Sequence, residues 1–259
     1  MMKQPKPLRT ARLSVAIGLM FSCGALFSQE LMMQPPDRPP LVEVRYEEVT
    51  SGERIELVAR EWNVPGGLLL ESTSSTGDRH LVLVAEGPAA EGPATAGPAA
   101  GELVTQSWRF EAGSGRSEVT ANRENGSVAV TGVIEGERTV AQHELDAEPW
   151  LQSIERSLRR FVLGGDERDR LRFTVVQPDN LEPRVLQARL LGTEERTVAG
   201  VPTTVRRVRI GLPGIGAIIW SSDYWFRASD GLFVESHVTR GPPGTPETVV
   251  RLIEPAARQ

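Results

Sequence analysis

Cysteine is almost missing from this chain. The single one, Cys23, lies near the N-terminus, so the rest can form no internal disulfide and must be held by packing. Lysine is nearly as scarce: Lys3 and Lys6 are the only two, and every later cation is arginine. Residues 1–28 hold four basic residues and no acidic one, and without those four the 29 basic residues fall to 25 against 34 acidic. That balance excludes the basic footprint of a nucleic-acid binder. Histidine occurs only as His80, His143 and His237. None stands at ligand spacing from a second, and zinc sites want clusters, so we expect no metal and no other cofactor. Beyond residue 40 no apolar run approaches the ~20 residues of a spanning helix, so we expect no transmembrane segment in the mature chain.

Motifs of catalysis are missing too. Ser221, Asp223 and His237 form a triad only on paper, because no Gly-x-Ser-x-Gly elbow presents a serine. The pairs Glu47/Glu48 and Glu194/Glu195 are adjacent on strand patterns, so each pair points to opposite faces and forms no dyad. Gly214-x-Gly216 lacks the third glycine of a dinucleotide loop. We expect a protein that is not an enzyme, with no catalytic residues.

What is present begins with a leader. Lys3 to Arg12 is basic, and Leu13 to Phe27 (LSVAIGLMFSCGALF) is an apolar stretch of signal-peptide length. Small residues favour cleavage after Ala25, giving a signal peptide over residues 1–25. Lipidation of Cys23, behind Met20-Phe21-Ser22, and an uncleaved anchor are the alternatives. The expected location is the periplasm or outer cell envelope, membrane-anchored if Cys23 is lipidated. Residues 26–40 read as a Pro-rich flexible tether. Residues 41–255 read as one β-rich domain, with residues 86–101 (EGPAAEGPATAGPAAG) as a disordered insertion.

The domain reads as strand after strand. Leu41 to Val49 alternates apolar and charged residues. Ile55 to Trp62, Leu68 to Leu70 and Leu81 to Ala85 follow, then Leu103 to Phe110, Ser117 to Ala121, Ser127 to Ile134 and Arg138 to Leu145. Asn125-Gly126 signals a tight hairpin. After residue 165 come strands around Leu171 to Val175, Val185 to Leu191, Thr203 to Leu212, Ser222 to Arg227, Leu232 to Thr239 and Thr248 to Ile253. No period of 20 to 50 residues recurs, which excludes a propeller or solenoid.

One helix interrupts them. Pro149 suits a first helical position. Trp150, Leu151, Ile154, Leu158 and Phe161 form a stripe at spacings of three and four, and Gly164-Gly165 ends it. The hairpin of Tyr224, Trp225, Phe226 and Leu232, Phe233, Val234 is apolar at both parities, so both its faces are covered. Arg227 beside it is expected to pair with Asp230 or Asp223, the alternative being a buried cation that meets a ligand's anion. The candidate site is a cavity wall made of Trp150, Phe161, Trp220, Tyr224 and Phe226, with plain core as the alternative.

Pro149-Trp150-Leu151-Gln152, Ser157-Leu158-Arg159, Gln177-Pro178-Asp179-Asn180-Leu181, Asp223-Tyr224-Trp225-Phe226-Arg227, Asp230-Gly231 and Gly241-Pro242-Pro243-Gly244-Thr245-Pro246 together resemble a group of uncharacterised exported bacterial proteins. That group is similar in architecture to the LolA/LolB-like superfamily of periplasmic lipoprotein carriers. The resemblance covers roughly residues 105 to 253. It implies a mainly β fold: a curled antiparallel half-barrel with one amphipathic α-helix packed on it as a lid, and an apolar cavity for acyl chains. It assigns no catalytic residue. The expected partner is a lipid or lipoprotein acyl chain. The alternative is a structural module with a solid core whose partner is another envelope protein.

Overall fold

The computed structural model describes residues 33–87, 103–145, 148–164, 169–214, 220–239 and 245–254. The signal peptide, Cys23 and nearly all of the low-complexity insertion therefore lie outside the described residues.

The first half is a run of strands: β1 (Val42–Thr50), β2 (Glu53–Val64), β3 (Gly67–Ser74), β4 (Arg79–Glu86), β5 (Leu103–Glu111), β6 (Glu118–Glu124), β7 (Ser127–Ile134) and β8 (Glu137–Glu144). Two short helices follow, α1 (Ile154–Ser157) and α2 (Arg159–Leu163). The second half is β9 (Arg170–Val176), β10 (Pro183–Val198), β11 (Val201–Gly211), β12 (Ser221–Arg227), β13 (Phe233–Thr239) and β14 (Glu247–Glu254). All 14 strands join one antiparallel sheet in the order β8-β7-β6-β5-β4-β3-β2-β1-β14-β13-β12-β11-β10-β9. Sequence neighbours pair within each half, β8 and β9 do not pair with each other, and β1 pairing with β14 joins the two halves. The sheet is open, with β8 and β9 at its edges.

Tight turns make the meander possible. Asn125 and Gly126 both have positive φ, and Glu124 faces Ser127 across them. Such a turn matches the twist of the strands it joins. Ser51-Gly52, Glu135-Gly136 and Ala199-Gly200 repeat that geometry. At Gly67 the backbones of β3 and β4 come close, and a Cβ there would stand 2.0 Å from the carbonyl oxygen of Val84.

The helical part differs from the sequence expectation. The stripe predicts a helix from Pro149, yet helix begins only at Ile154. Pro149 to Leu151 instead pairs like a strand, and the chain bends at Gln152. Trp150 forms a parallel bridge with Thr174 of β9. The Leu151 amide donates to the Thr174 carbonyl at 2.9 Å, and the Thr174 amide donates to the Pro149 carbonyl at 2.9 Å. On the other side the Thr105 amide of β5 donates to the Trp150 carbonyl at 2.9 Å. This position on β5 is free because β6 pairs only with Ser107 to Glu111. Extended chain points neighbours to opposite sides, and both neighbours are buried: Leu151 joins the main core, Trp150 the second. Strand partners on both sides outweigh a helical turn that is costly to nucleate.

The main core combines Val44 and Tyr46 of β1, Leu158, Phe161 and Val162 of the helices, and the buried faces of β9 to β14. The second gathers residues of β3 to β7 with Trp150, Val176 and Leu181. A third, small cluster lies on the opposite face of β3 and β4, where Met33 covers Leu69, Leu81 and Leu83. Beside it the Trp62 indole donates to the Arg38 carbonyl at 3.1 Å. The described part of the Pro-rich segment is thus laid along the domain. Among the described residues no helix is long and apolar enough to cross a membrane.

Candidate functional site

Side chains alternate along a strand, so one parity of β1 to β4 faces one space. Val44, Tyr46 and Glu48, then Ile55, Leu57, Ala59 and Glu61, then Leu70, Ser72 and Ser74, then His80 and Val82 line a cavity of about 460 Å³. Tyr224, Phe233, Ser236, Val238 and Val250 of β12 to β14 complete its floor. Gln152, Glu155, Arg156 and Arg159 close one end. The register puts Ala59 opposite Val44 near that end and Ile55 opposite Glu48 at the other. The cavity therefore runs along the strands. An apolar strip forms its middle. One end has the ionic groups of the helices, the other Glu48, Thr76 and Asp78.

The helical end is electrostatically tense. The Arg156 Nε lies 2.7 Å from a Glu61 carboxylate oxygen, with both side chains mostly buried. Burial lifts the Glu61 carboxyl above its ordinary range, against the pull of Arg156. Burial lowers Arg156, against the pull of Glu61. An ion pair out of water is costly to form and costlier to break. Deeper in, the Tyr46 hydroxyl donates to the Phe233 carbonyl at 3.2 Å, and burial drives its pKa upward. His80 is held below its ordinary value, by burial first, with Asp78 opposing. Its Nδ1 faces the Trp108 indole N–H at 3.4 Å.

Beneath α2, Arg227 and Asp230 form a two-point pair at 2.8 and 2.7 Å. Burial raises Asp230, but the Arg227 hydrogen bonds and the Leu232 amide outweigh it and bring the carboxyl down to about 2. This is one of the two pairings expected for Arg227.

Of the five aromatic wall candidates, Tyr224 lines the cavity. Phe226 is fully buried against Phe233, ring centres 5.8 Å apart. Phe161 lies in the main core and Trp150 in the second. Trp220 is half-buried beside the main core and donates its indole N–H to the Thr239 carbonyl at 2.7 Å. The cavity's own wall comes mostly from the first four strands. Their alternation marks it as a face, but no chemical motif marks it as a site.

Trp225 shows what covers the other side of the late hairpin. Arg196, from the tip of β10, lies 3.8 Å over its ring, and Arg207 lies at 5.5 Å. Glu194 accepts its indole N–H at 2.7 Å. The sequence requires a cover on both faces, and on this one the cover is guanidinium and arginine stem. Asp223 and His237 are cross-strand partners there. Asp223 is taken by Arg207 and Arg209, and His237 by Glu235 and Glu247. Among the described residues no three His, Cys, Asp or Glu side chains gather as a metal set.

A chain of charges crosses the face of β1 to β6 opposite the cavity. Glu43, Arg60, Glu71, Arg79, Glu111, Arg109 and Glu118 succeed one another at 2.7, 3.2, 2.8, 3.8, 2.8 and 2.7 Å. Every carboxylate alternates with a guanidinium, so the face carries little net field.

No family model matches the chain, and no curated protein matches it. Solved structures do. A β-barrel-like protein of the domain of unknown function DUF1849 from Brucella abortus aligns over 85% of this chain and 100% of its own, with 11% identity and a TM-score of 0.53. The hypothetical lipoprotein YmcC from Escherichia coli aligns over 89% of this chain and 92% of its own, with 11% identity and a TM-score of 0.40. A lipoprotein of Parabacteroides distasonis, so described provisionally, aligns over 85% and 96%, with 9% identity and a TM-score of 0.31. The likeness to the Brucella protein is one of fold. The lipoprotein-carrier superfamily is not named among these matches.

Proposed function

We propose that this chain is an exported envelope protein, without catalytic activity, that holds a lipid acyl chain or comparable apolar group in the cavity between β1–β4, β12–β14 and the helices. The sheet acts as the half-barrel and α1–α2 as its cover, in the manner of the LolA/LolB-like superfamily that the sequence resembles. The observation that carries the reading is the cavity itself. Its volume of about 460 Å³ falls in the ~300–1,000 Å³ range of ligand sites. Val44, Ile55, Leu57, Leu70, Val82 and Val250 give it an apolar strip. Burial there favours a chain by about 0.8 kcal/mol per CH₂. The basic, then apolar, leader supports export.

A second reading is an interaction module with a packed core. Trp150 and Phe226, both fully buried, and Phe161, nearly so, favour it. Native mass spectrometry of the protein, purified gently from its own envelope fraction, separates the two. A co-purifying lipid lost on denaturation supports the cavity reading. A bare polypeptide mass from a folded sample supports the packed module. The same spectrum reads the N-terminus, near Leu26 or at a lipidated Cys23.

A further inference from the structure

A groove of about 510 Å³ adjoins the cavity at its helical end. Arg156 and Arg159 line both spaces, and Arg160 lines the groove alone of the three. Leu68, Leu103 and Leu163 form its apolar side, and Glu86 is the acidic residue in its wall.

The three arginines are not equally satisfied. Arg156 pairs with Glu61 at 2.7 Å. Arg160 pairs with Glu86 at 2.9 Å, and both of those side chains are about half or more exposed. Arg159 donates from Nε to the backbone carbonyl of Asp230, which is a dipole and not a charge. Among the described residues Arg159 makes no ion pair. A guanidinium is a planar fork suited to carboxylate or phosphate oxygens. An unpaired one at the edge of a partly desolvated space favours an anion.

Charge also sets an orientation. The cavity side of this end has Glu61 and Glu155 beside Arg156 and Arg159, and the far end has Glu48 and Asp78. The arginines therefore draw an anionic group toward the helical end. The groove side sets three arginines against Glu86.

We infer that the groove is a headgroup site, and that the ligand is an anionic amphiphile whose carboxylate or phosphate meets Arg159 and Arg160 while its chain runs into the cavity. This rests on the cavity reading above and adds the charge and direction of the ligand.

The test compares one chain with and without its charge. The probe is 11-(dansylamino)undecanoic acid, titrated beside its methyl ester into the full mature protein, with fluorescence as the readout. The acid is expected to bind about tenfold or more tighter than the ester, as one charge-assisted hydrogen-bonded pair implies. R160Q, at a residue that lines the groove and not the cavity, should shrink that preference and leave the ester's affinity unchanged, and R159Q should shrink the preference as well. R159K, which keeps the charge, should retain most of it and guards against a folding defect in R159Q. Equal binding of acid and ester to the unaltered protein overturns the headgroup site and leaves the cavity reading standing. Binding of neither overturns both. Inorganic phosphate is the third arm. If it displaces the acid as effectively as a competing acyl phosphate does, the groove is a site for free ions, and the inference fails.

Discussion

The side-chain amide of Gln152 grips the backbone of Val176 at both its polar groups. Gln152 Nε2 donates to the Val176 carbonyl at 2.8 Å, and the Val176 amide donates to Gln152 Oε1 at 3.0 Å. The same oxygen accepts the Trp150 indole N–H at 2.8 Å. The Gln152 amide N–H donates to Thr105 Oγ1 at 2.8 Å. One residue thus ties the bridging segment to β9 on one side and β5 on the other, beside the cavity.

Replacing Gln152 with leucine keeps the bulk and leaves three polar groups without their partner. Each buried group left unpaired costs roughly 1–3 kcal/mol. A loss of roughly 3 kcal/mol lowers the melting temperature of a domain this size by about 6–12 °C. Thermal melting followed by circular dichroism checks it, and an unchanged midpoint contradicts the bridging role.

Glu71 is the pivot of the charge chain on the opposite face. It is only 8% exposed and meets Arg60 at 3.2 Å and Arg79 at 2.8 Å. Glu71→Gln preserves its shape and removes its charge. Hydrogen bonds to charged groups are worth about 1.5–3 kcal/mol, so we expect a loss of about that size in urea unfolding. Glu118→Gln, at the exposed end of the chain, should cost far less.

Asp230 gives the acid limb of stability. Its folded value is depressed to about 2 from an ordinary 3.8. The stabilisation is therefore present above pH ~4 and lost as pH falls through ~2. Asp230→Asn should be less stable than the unaltered protein at pH 7. The gap should narrow between pH 4 and pH 2 in urea midpoints. A gap of equal size at pH 7 and pH 2 would show that Asp230 acts by shape alone.

Much of the sheet was legible because alternation and turn chemistry are local. Val42, Val44 and Tyr46 against Glu43, Arg45 and Glu47 mark a strand face that β1 adopts, and Asn125-Gly126 makes the turn it signals. The ends of β10 and β11 were harder to read. Thr193 to Thr197 is polar on both parities, yet it extends the hairpin, with Arg196 and Glu194 covering Trp225. Trp150 and Leu151 fit a helical stripe as well as two opposite faces of an extended chain. Only the vacant edges of β5 and β9 decide between them, and those are long-range facts. The cavity was the least legible part. Its wall is assembled from one parity of seven strands far apart in sequence, and its ionic end joins Glu61 to Arg156 across 95 positions.

The central claim is that the space above Leu57 is a binding site and not spare volume. Leu57 lies in the middle of the cavity wall and is only partly buried, so Leu57→Trp fills the space from a position that tolerates bulk. The measurement is fluorescence titration of 11-(dansylamino)undecanoic acid into the unaltered protein and this variant, with thermal melting of both. The account predicts saturable one-to-one binding to the unaltered protein, weaker by about tenfold or more in the variant, with melting nearly the same. Equal affinity in the two proteins would contradict it.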